Sequence, residues 1–284
     1  MSNVFWGVHS ALTVQAQPTI MVVGDSWFWY PMHNLASAIG QEMRDETLVC
    51  VGFSGAEASQ WAERYRTEID FGFRMYADSV QVLMLSGGGN DIAGMQDFLK
   101  IIRDDCTGAR TVDECFDPGQ PDGVMARITG AYTELILRFR AWNRHAPVLM
   151  HNYDYAWPTG IGVFGPADWL RAPMERARVP HELRRPLFKA LVNRLHDAQL
   201  RLADDRRLGP LVALRSAGTM PEVSDGLQQW WANELHPTPR GFNLLAQKVF
   251  IPALELALQR RRLVDTDTDT ERTPAGNAEP HPVA

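Results

Sequence analysis

The chain of 284 residues holds only three cysteines, no CxxC pair and no surplus of positive charge. Three thiols cannot make a full disulfide set, which excludes a stapled secreted miniprotein. Without CxxC or Cys/His pairs at ligand spacing, a structural zinc is disfavoured and no metal or other cofactor is expected. Lys plus Arg is 28 against 34 for Asp plus Glu, a net charge of -6, and this mild acidity argues against a nucleic-acid partner. The late arginines Arg201, Arg206, Arg207, Arg260, Arg261 and Arg262 read as solvated helix surface. No GxGxxG follows the first apolar run and no Gly-Lys-Ser/Thr occurs, so dinucleotide and P-loop sites are both excluded. No uninterrupted apolar run approaches the roughly 18 residues of a membrane span. Met1 to Gln17 lacks the basic start and continuous apolar stretch of a signal peptide. The expectation is a cytoplasmic protein without a transmembrane segment.

What the chain has is an ordinary globular composition, 45% hydrophobic and 22% charged, with length enough for a large core. Residues 19–23 form a β-branched apolar run ending at Gly24, and residues 47–53 and 80–85 form two more. Continuous apolar runs, rather than alternating ones, suit strands buried on both faces of a parallel sheet. Between and after them lie helical patterns. Leu35, Ile39 and Met43 recur at four-residue spacing within 34–46, and Ile128, Tyr132, Leu135 and Phe139 mark one face of 124–142. Further helices are expected near 58–67, over 186–202 and over 238–261, with strands at 147–153 and 211–214. This alternation predicts βαβ units and a doubly wound α/β sheet of five strands. The expected boundaries are an N-terminal extension over 1–18, one domain over 19–264, and a disordered Asp/Thr/Pro-rich tail over 265–284. Two long loops break the rhythm: 104–122, read as a neutral insertion, and 157–180, expected to touch substrate. Cys50 reads as a buried small hydrophobe, whereas Cys106 and Cys115 admit either a disulfide or two free thiols.

The chemistry sits at the strand ends. Gly24-Asp25-Ser26 ends the first run, where doubly wound sheets gather their ligands, and a serine there is placed for nucleophilic work. The plain alternative for Ser26 is a helix N-cap. Gly52-Phe53-Ser54-Gly55 ends the second run, and a loop glycine there is able to aim an N–H at a substrate oxygen. Gly87-Gly88-Gly89-Asn90-Asp91 ends the third and adds a side-chain amide donor; its plain alternative is a turn in which Asn90 caps the next helix. His236 falls in a loop just before the final helix, followed by Pro237. Nucleophile, general base and oxyanion donors are the three roles of an acyl-transfer site.

These four blocks, in this order, resemble the SGNH (GDSL-like) hydrolase family: Gly24-Asp25-Ser26, Gly55, Gly88-Gly89-Asn90-Asp91 and His236-Pro237. The resemblance spans about residues 19–263. It implies a flavodoxin-like three-layer α/β/α fold with a mostly parallel sheet, and a metal-free serine mechanism on esters of small or lipid-like acids. By carry-over, Ser26 attacks the ester carbonyl, His236 is the general base, and the Ser26 N–H, the Gly55 N–H and the Asn90 side chain hold the oxyanion. Apart from the resemblance, the aromatics Trp27-Phe28-Trp29-Tyr30 after the nucleophile and Tyr153, Tyr155, Trp157 and Phe164 after the fourth run read either as walls of an apolar acyl pocket or as core packing, with Trp27, Tyr155 and Trp157 the expected substrate contacts.

One position departs from the family pattern. Its last block reads Asp-x-x-His, and here stands Asn233-Glu234-Leu235-His236. An Asn carbonyl is able to orient a histidine, as in Cys-His-Asn proteases, but it leaves the imidazolium unneutralised; in a serine protease that exchange costs roughly ten-thousandfold in kcat. Several readings stay open at this point. Asn233 orients His236, Asp225 or Glu234 supplies the carboxylate, or the enzyme works as a Ser-His dyad. Beside the leading reading, an esterase or lipase-like carboxylic-ester hydrolase, stand a carbohydrate O-acetylesterase or acyltransferase and a non-catalytic binding module with a degenerate triad.

Overall fold

The computed structural model describes residues 2–30, 33–167, 169–222 and 224–270, the last ten by their backbone alone. Six strands form one wholly parallel sheet: β1 (Val4–Trp6), β2 (Ile20–Gly24), β3 (Leu48–Gly52), β4 (Val82–Ser86), β5 (Val148–His151) and β6 (Leu211–Leu214), in the spatial order β1-β3-β2-β4-β5-β6. The apolar runs behave as their composition requires. All residues of β2, β4 and β5 are buried, while the edge strands β1 and β6 are only partly covered. Helices complete the three layers. Gln120–Arg140 packs on His181–Ala203 in one layer, and Leu35–Glu42 packs on Pro239–Leu245 in another.

The central five strands keep the flavodoxin-like order, and the sixth is an addition. It comes from within residues 1–18: β1 pairs in parallel with β3, and the helix Val8–Thr13 buries Val8 and Ala11. The segment expected as an extension is thus built into the sheet. The helical stretch expected at 58–67 divides into a 3-10 turn, Ala58–Trp61, and a helix, Arg66–Tyr76. The helix expected from 124 starts at Gln120, with Pro121 in its first turn, where no N–H is needed.

The final helix begins at Pro239, capped by the Thr238 side chain, and continues through a π-helical stretch to Thr270. The first six residues of the expected tail are therefore helical, and the rest of that tail lies outside the described residues. Pro239–Arg260 is long and apolar enough by composition to cross a membrane, although no uninterrupted apolar run suggested it. Here Phe242, Leu245, Phe250 and Leu254 from it are buried in the core of the fold. Cys50, Cys106 and Cys115 are all free and buried.

Candidate active site

In the order β3-β2-β4 the chain leaves β2 on one side of the sheet's centre and β4 on the other, which opens a crevice at their carboxyl ends. Ser26 stands at that point as the first residue of a short helix, Ser26–Trp29. The cap is Asp25, whose Oδ1 accepts the Trp27 N–H at 3.0 Å, so Ser26 is spared the capping role. Asp25 is buried and fully engaged: Ser86 Oγ donates to Oδ1 at 2.9 Å and Tyr153 Oη donates to Oδ2 at 2.6 Å. Burial pushes its carboxyl up to about 6, against the pull of these hydrogen bonds.

His236 reaches the same point from the far end of the chain. Its Nε2 lies 2.8 Å from Ser26 Oγ, and its Nδ1 lies 2.9 Å from Asn233 Oδ1. Asn233 Oδ1 also accepts the backbone N–H groups of Leu235, at 3.0 Å, and His236, at 2.9 Å. Such an Asx turn is what Asn favours locally, and it closes the 233–236 loop on itself. Only an oxygen accepts three N–H groups, so the amide is fixed with its carbonyl toward the imidazole. The imidazole then carries its proton on Nδ1 and turns the Nε2 lone pair to the serine hydroxyl. Burial holds the ring down at about 4, so it is neutral at physiological pH.

Of the acid candidates, only Asn233 meets the histidine. Asp225 is exposed in a loop. Glu234 is buried but turned the other way: its carboxylate accepts the N–H groups of Gly160 (3.0 Å), Leu170 (3.0 Å) and Arg171 (2.7 Å). It thereby pins the 157–180 loop. That loop adds no wall to the cavity over Ser26; it meets the site through Trp169, whose ring stands edge-on to His236 at 5.9 Å. Phe164, within the same loop, is fully exposed.

The cavity over Ser26 is small, about 30 Å³, and is walled by Asn90, Tyr153, Asp154, Ala156, Phe188 and Leu235. Asn90 opens a 3-10 turn after β4, and its amide donates one N–H to the Ala56 carbonyl at 2.8 Å, tying the loops after β3 and β4 together. Gly55, in the first of these loops, is exposed and does not wall the cavity; its φ of 76° is left-handed backbone that favours glycine. Trp27 does border the cavity, yet it is buried, and its indole N–H donates to the Leu235 carbonyl at 3.1 Å, joining the serine helix to the histidine loop. Tyr155 and Trp157 do not wall the cavity, contrary to expectation. Tyr155 Oη donates to Asn193 Oδ1 at 2.6 Å, and Trp157 stacks under the Arg185 guanidinium, 3.6 Å from the ring centroid.

Two further residues are not marked by any motif. Tyr153 holds a left-handed backbone, φ 64°, which non-glycine residues rarely take, and its ring passes over Gly89 to reach Asp25. A Cβ on Gly89 would lie 2.8 Å from that ring, so glycine is required there by the close approach. Tyr30 stacks on the His236 ring, with centroids 4.2 Å apart and planes 14° apart. The aromatic run Trp27-Phe28-Trp29-Tyr30 was the only sequence signal for it. Among the described residues no group of three or more His, Cys, Asp or Glu side chains is placed to hold a metal ion.

A serine and a neutral histidine in hydrogen-bonding contact, at the switch point of a parallel α/β sheet, have the arrangement of nucleophile and base that serine hydrolases use. The model of the GDSL-like lipase/acylhydrolase family matches residues 18–244, and the chain belongs to that family. Among solved structures it is similar to phospholipase A1 from Streptomyces albidoflavus NA297, at 16% identity over 82% of this chain and 100% of that one, with a TM-score of 0.50. It is also similar to an extracellular lipase from Streptomyces rimosus (12% identity, 81% and 98% covered, TM-score 0.47). A third likeness is to a carbohydrate esterase family 3 protein from Talaromyces cellulolyticus (14% identity, 86% and 99% covered, TM-score 0.46). At these identities the likeness is one of fold. No curated protein matches the sequence.

Proposed function

We propose that the protein hydrolyses carboxylic esters of short acyl chains through an acyl-enzyme on Ser26. The observation that carries this reading is the continuous chain Ser26 Oγ–His236 Nε2, His236 Nδ1–Asn233 Oδ1, at 2.8 and 2.9 Å. Ser26 Oγ attacks the ester carbonyl carbon while its proton passes to Nε2. The tetrahedral intermediate collapses, the alkoxide leaves with that proton, and the acyl group stays on Ser26. Water then attacks the acyl-enzyme, gives a proton to Nε2, and the acid departs as Ser26 Oγ recovers its hydrogen. The oxyanion is held by the Ser26 N–H, at the first turn of its helix, and by the Asn90 amide at the cavity wall; the Gly55 N–H, which lies outside that wall, is a donor on the family resemblance alone. Asn233 orients the imidazole throughout.

The size of the cavity supports the short acyl chain. The enclosed space beside Ser26, about 30 Å³, holds two or three water-sized centres, room for the reacting end of an ester with a short acyl group. An O-acetylated carbohydrate fits that reading equally well, as does acyl transfer to an acceptor other than water. The test is turnover of p-nitrophenyl esters from acetyl to palmitoyl by the wild type and Ser26→Ala. The expected result is an optimum at acetyl that vanishes in the variant. An optimum at long chains would overturn the acyl preference, and no serine-dependent turnover across the series would move the protein to the non-catalytic reading.

A further inference from the structure

The site holds an unsolved charge. When Ser26 gives up its proton, His236 becomes an imidazolium whose Nδ1 partner is a neutral amide. No carboxylate in the described structure is hydrogen-bonded to that ring. The two acids bordering the cavity are occupied elsewhere: Asp25 by Trp27, Ser86 and Tyr153, and Asp154 by the N–H groups of Tyr155, Gly218 and Met220. Glu234, next to Asn233 in sequence, is taken up by the 157–180 loop. Trp169 presents an edge arrangement, 81° from the imidazole plane.

One group faces the ring squarely. Tyr30 lies nearly parallel to it at 4.2 Å, and its Oη accepts the Asn233 Nδ2–H at 3.4 Å. The face of an aromatic ring is its negative pole, and a cation held against it away from water is stabilised. The hydroxyl contact is long and only supplements the Leu235 and His236 N–H groups, which already fix the Asn233 amide. We infer that Tyr30 is a positioning residue for this reaction: its ring face stabilises the His236 imidazolium in place of the carboxylate that Asn233 does not supply. The inference rests on the esterase reading for its catalytic consequence, while the contact between ring and imidazole stands apart from it.

The test changes the ring's electrostatics without changing its shape. Tyr30 is replaced by Phe, and then by Phe carrying one, two and three ring fluorines through suppression of an amber codon, since each fluorine empties the ring face further. Turnover of p-nitrophenyl acetate is expected to survive Tyr30→Phe within a few-fold and to fall stepwise with fluorination, by about three- to thirtyfold across the series. In a parallel Ser26→Ala series the His236 imidazole is titrated by NMR, a readout that needs no turnover. Its midpoint is expected to move to lower pH with each fluorine, because the protonated form loses support. A midpoint that stays flat across the series overturns the role assigned to Tyr30, whatever the activity does. A graded midpoint with no Ser26-dependent turnover of any ester overturns the esterase reading and the catalytic half of this inference with it, leaving only the contact. A merely structural Tyr30 would show neither gradient, since the substituted rings pack alike.

Discussion

Asn233 governs the proton inventory of the site, and its consequences are read in pH. His236 is held down at about 4 by burial, well below the ordinary histidine value. A general base works only when unprotonated, so kcat/KM is expected to rise as pH rises through about 4 and to be level by pH 6. A profile of initial rates from pH 3 to 8 checks this, and an acidic limb near 6.5 would contradict it. Asn233→Asp places a charge opposite Nδ1 and favours the protonated ring. Its acidic limb is therefore expected to move up toward the ordinary value, with kcat at neutral pH held or raised. A large fall in kcat would mean that the site depends on neutrality at position 233. Ser26, Asn90 and His236 were legible from the sequence because each ends an apolar run or precedes a helix, where backbone geometry exposes one residue. Gly55 was named on the same logic, but the structure leaves it exposed and outside the cavity wall. Tyr30 and Tyr153 were legible only as members of aromatic runs at strand ends, able either to line a pocket or to pack the core; Tyr153 does wall the cavity, but the contacts of the two rings with His236 and Asp25 follow from crossings between elements that no local pattern connects.

Glu234 acts on the element next to the site. Its carboxylate is turned away from the histidine, and three backbone N–H groups at 160, 170 and 171 converge on it, joining the two ends of the loop's irregular part. Glu234→Gln keeps the shape but turns one acceptor into a donor facing an N–H, a loss of about 1–3 kcal/mol for the unsatisfied pair. At this chain length such a loss lowers Tm by about 2–10 °C. The more specific outcome is local: trypsin should cut at Arg171, Arg176 or Arg178 faster in the variant than in the wild type, while cleavage elsewhere is unchanged. Uniformly faster cleavage would mean that Glu234 supports the whole fold rather than the loop. The sequence marked this loop, by its glycines and aromatics, for substrate contact; in the structure it adds no wall to the cavity over Ser26. Tyr155 and Trp157 are spent on Asn193 and Arg185, because an aromatic ring at a strand end is as useful for packing as for binding. The strands were the better-read elements, since a run buried on both faces can be recognised without knowing its neighbours.

At the scale of the molecule, the sheet extends beyond the part that periodicity marks. β1 is three residues long, too short to show a period, yet it closes the free edge of β3. Leu48 N–H donates to the Asn3 carbonyl and Gly7 N–H to the Cys50 carbonyl, both at 2.8 Å. Asn3 Nδ2 reaches the carbonyls of Gly40, Met43 and Glu46 at 2.9 to 3.0 Å, satisfying the open end of the helix Leu35–Glu42 and the turn after it. Val4 and Val8 are nearly or fully buried, and burial of two such side chains contributes about 3–6 kcal/mol. Removing residues 1–17 should therefore lower Tm by about 10 °C or more and leave the β3 edge open to pairing between molecules. Thermal unfolding followed by circular dichroism, with size-exclusion chromatography of the same samples, measures both effects. The site lies at the ends of β2 and β4, and the removed segment meets the serine helix at its far end, where Trp6 stands edge-on to Trp29 at 5.2 Å, so Ser26-dependent turnover should persist at temperatures well below the new Tm. A truncated chain that melts within a degree or two of the full one and stays monodisperse would return this segment to the status of an extension.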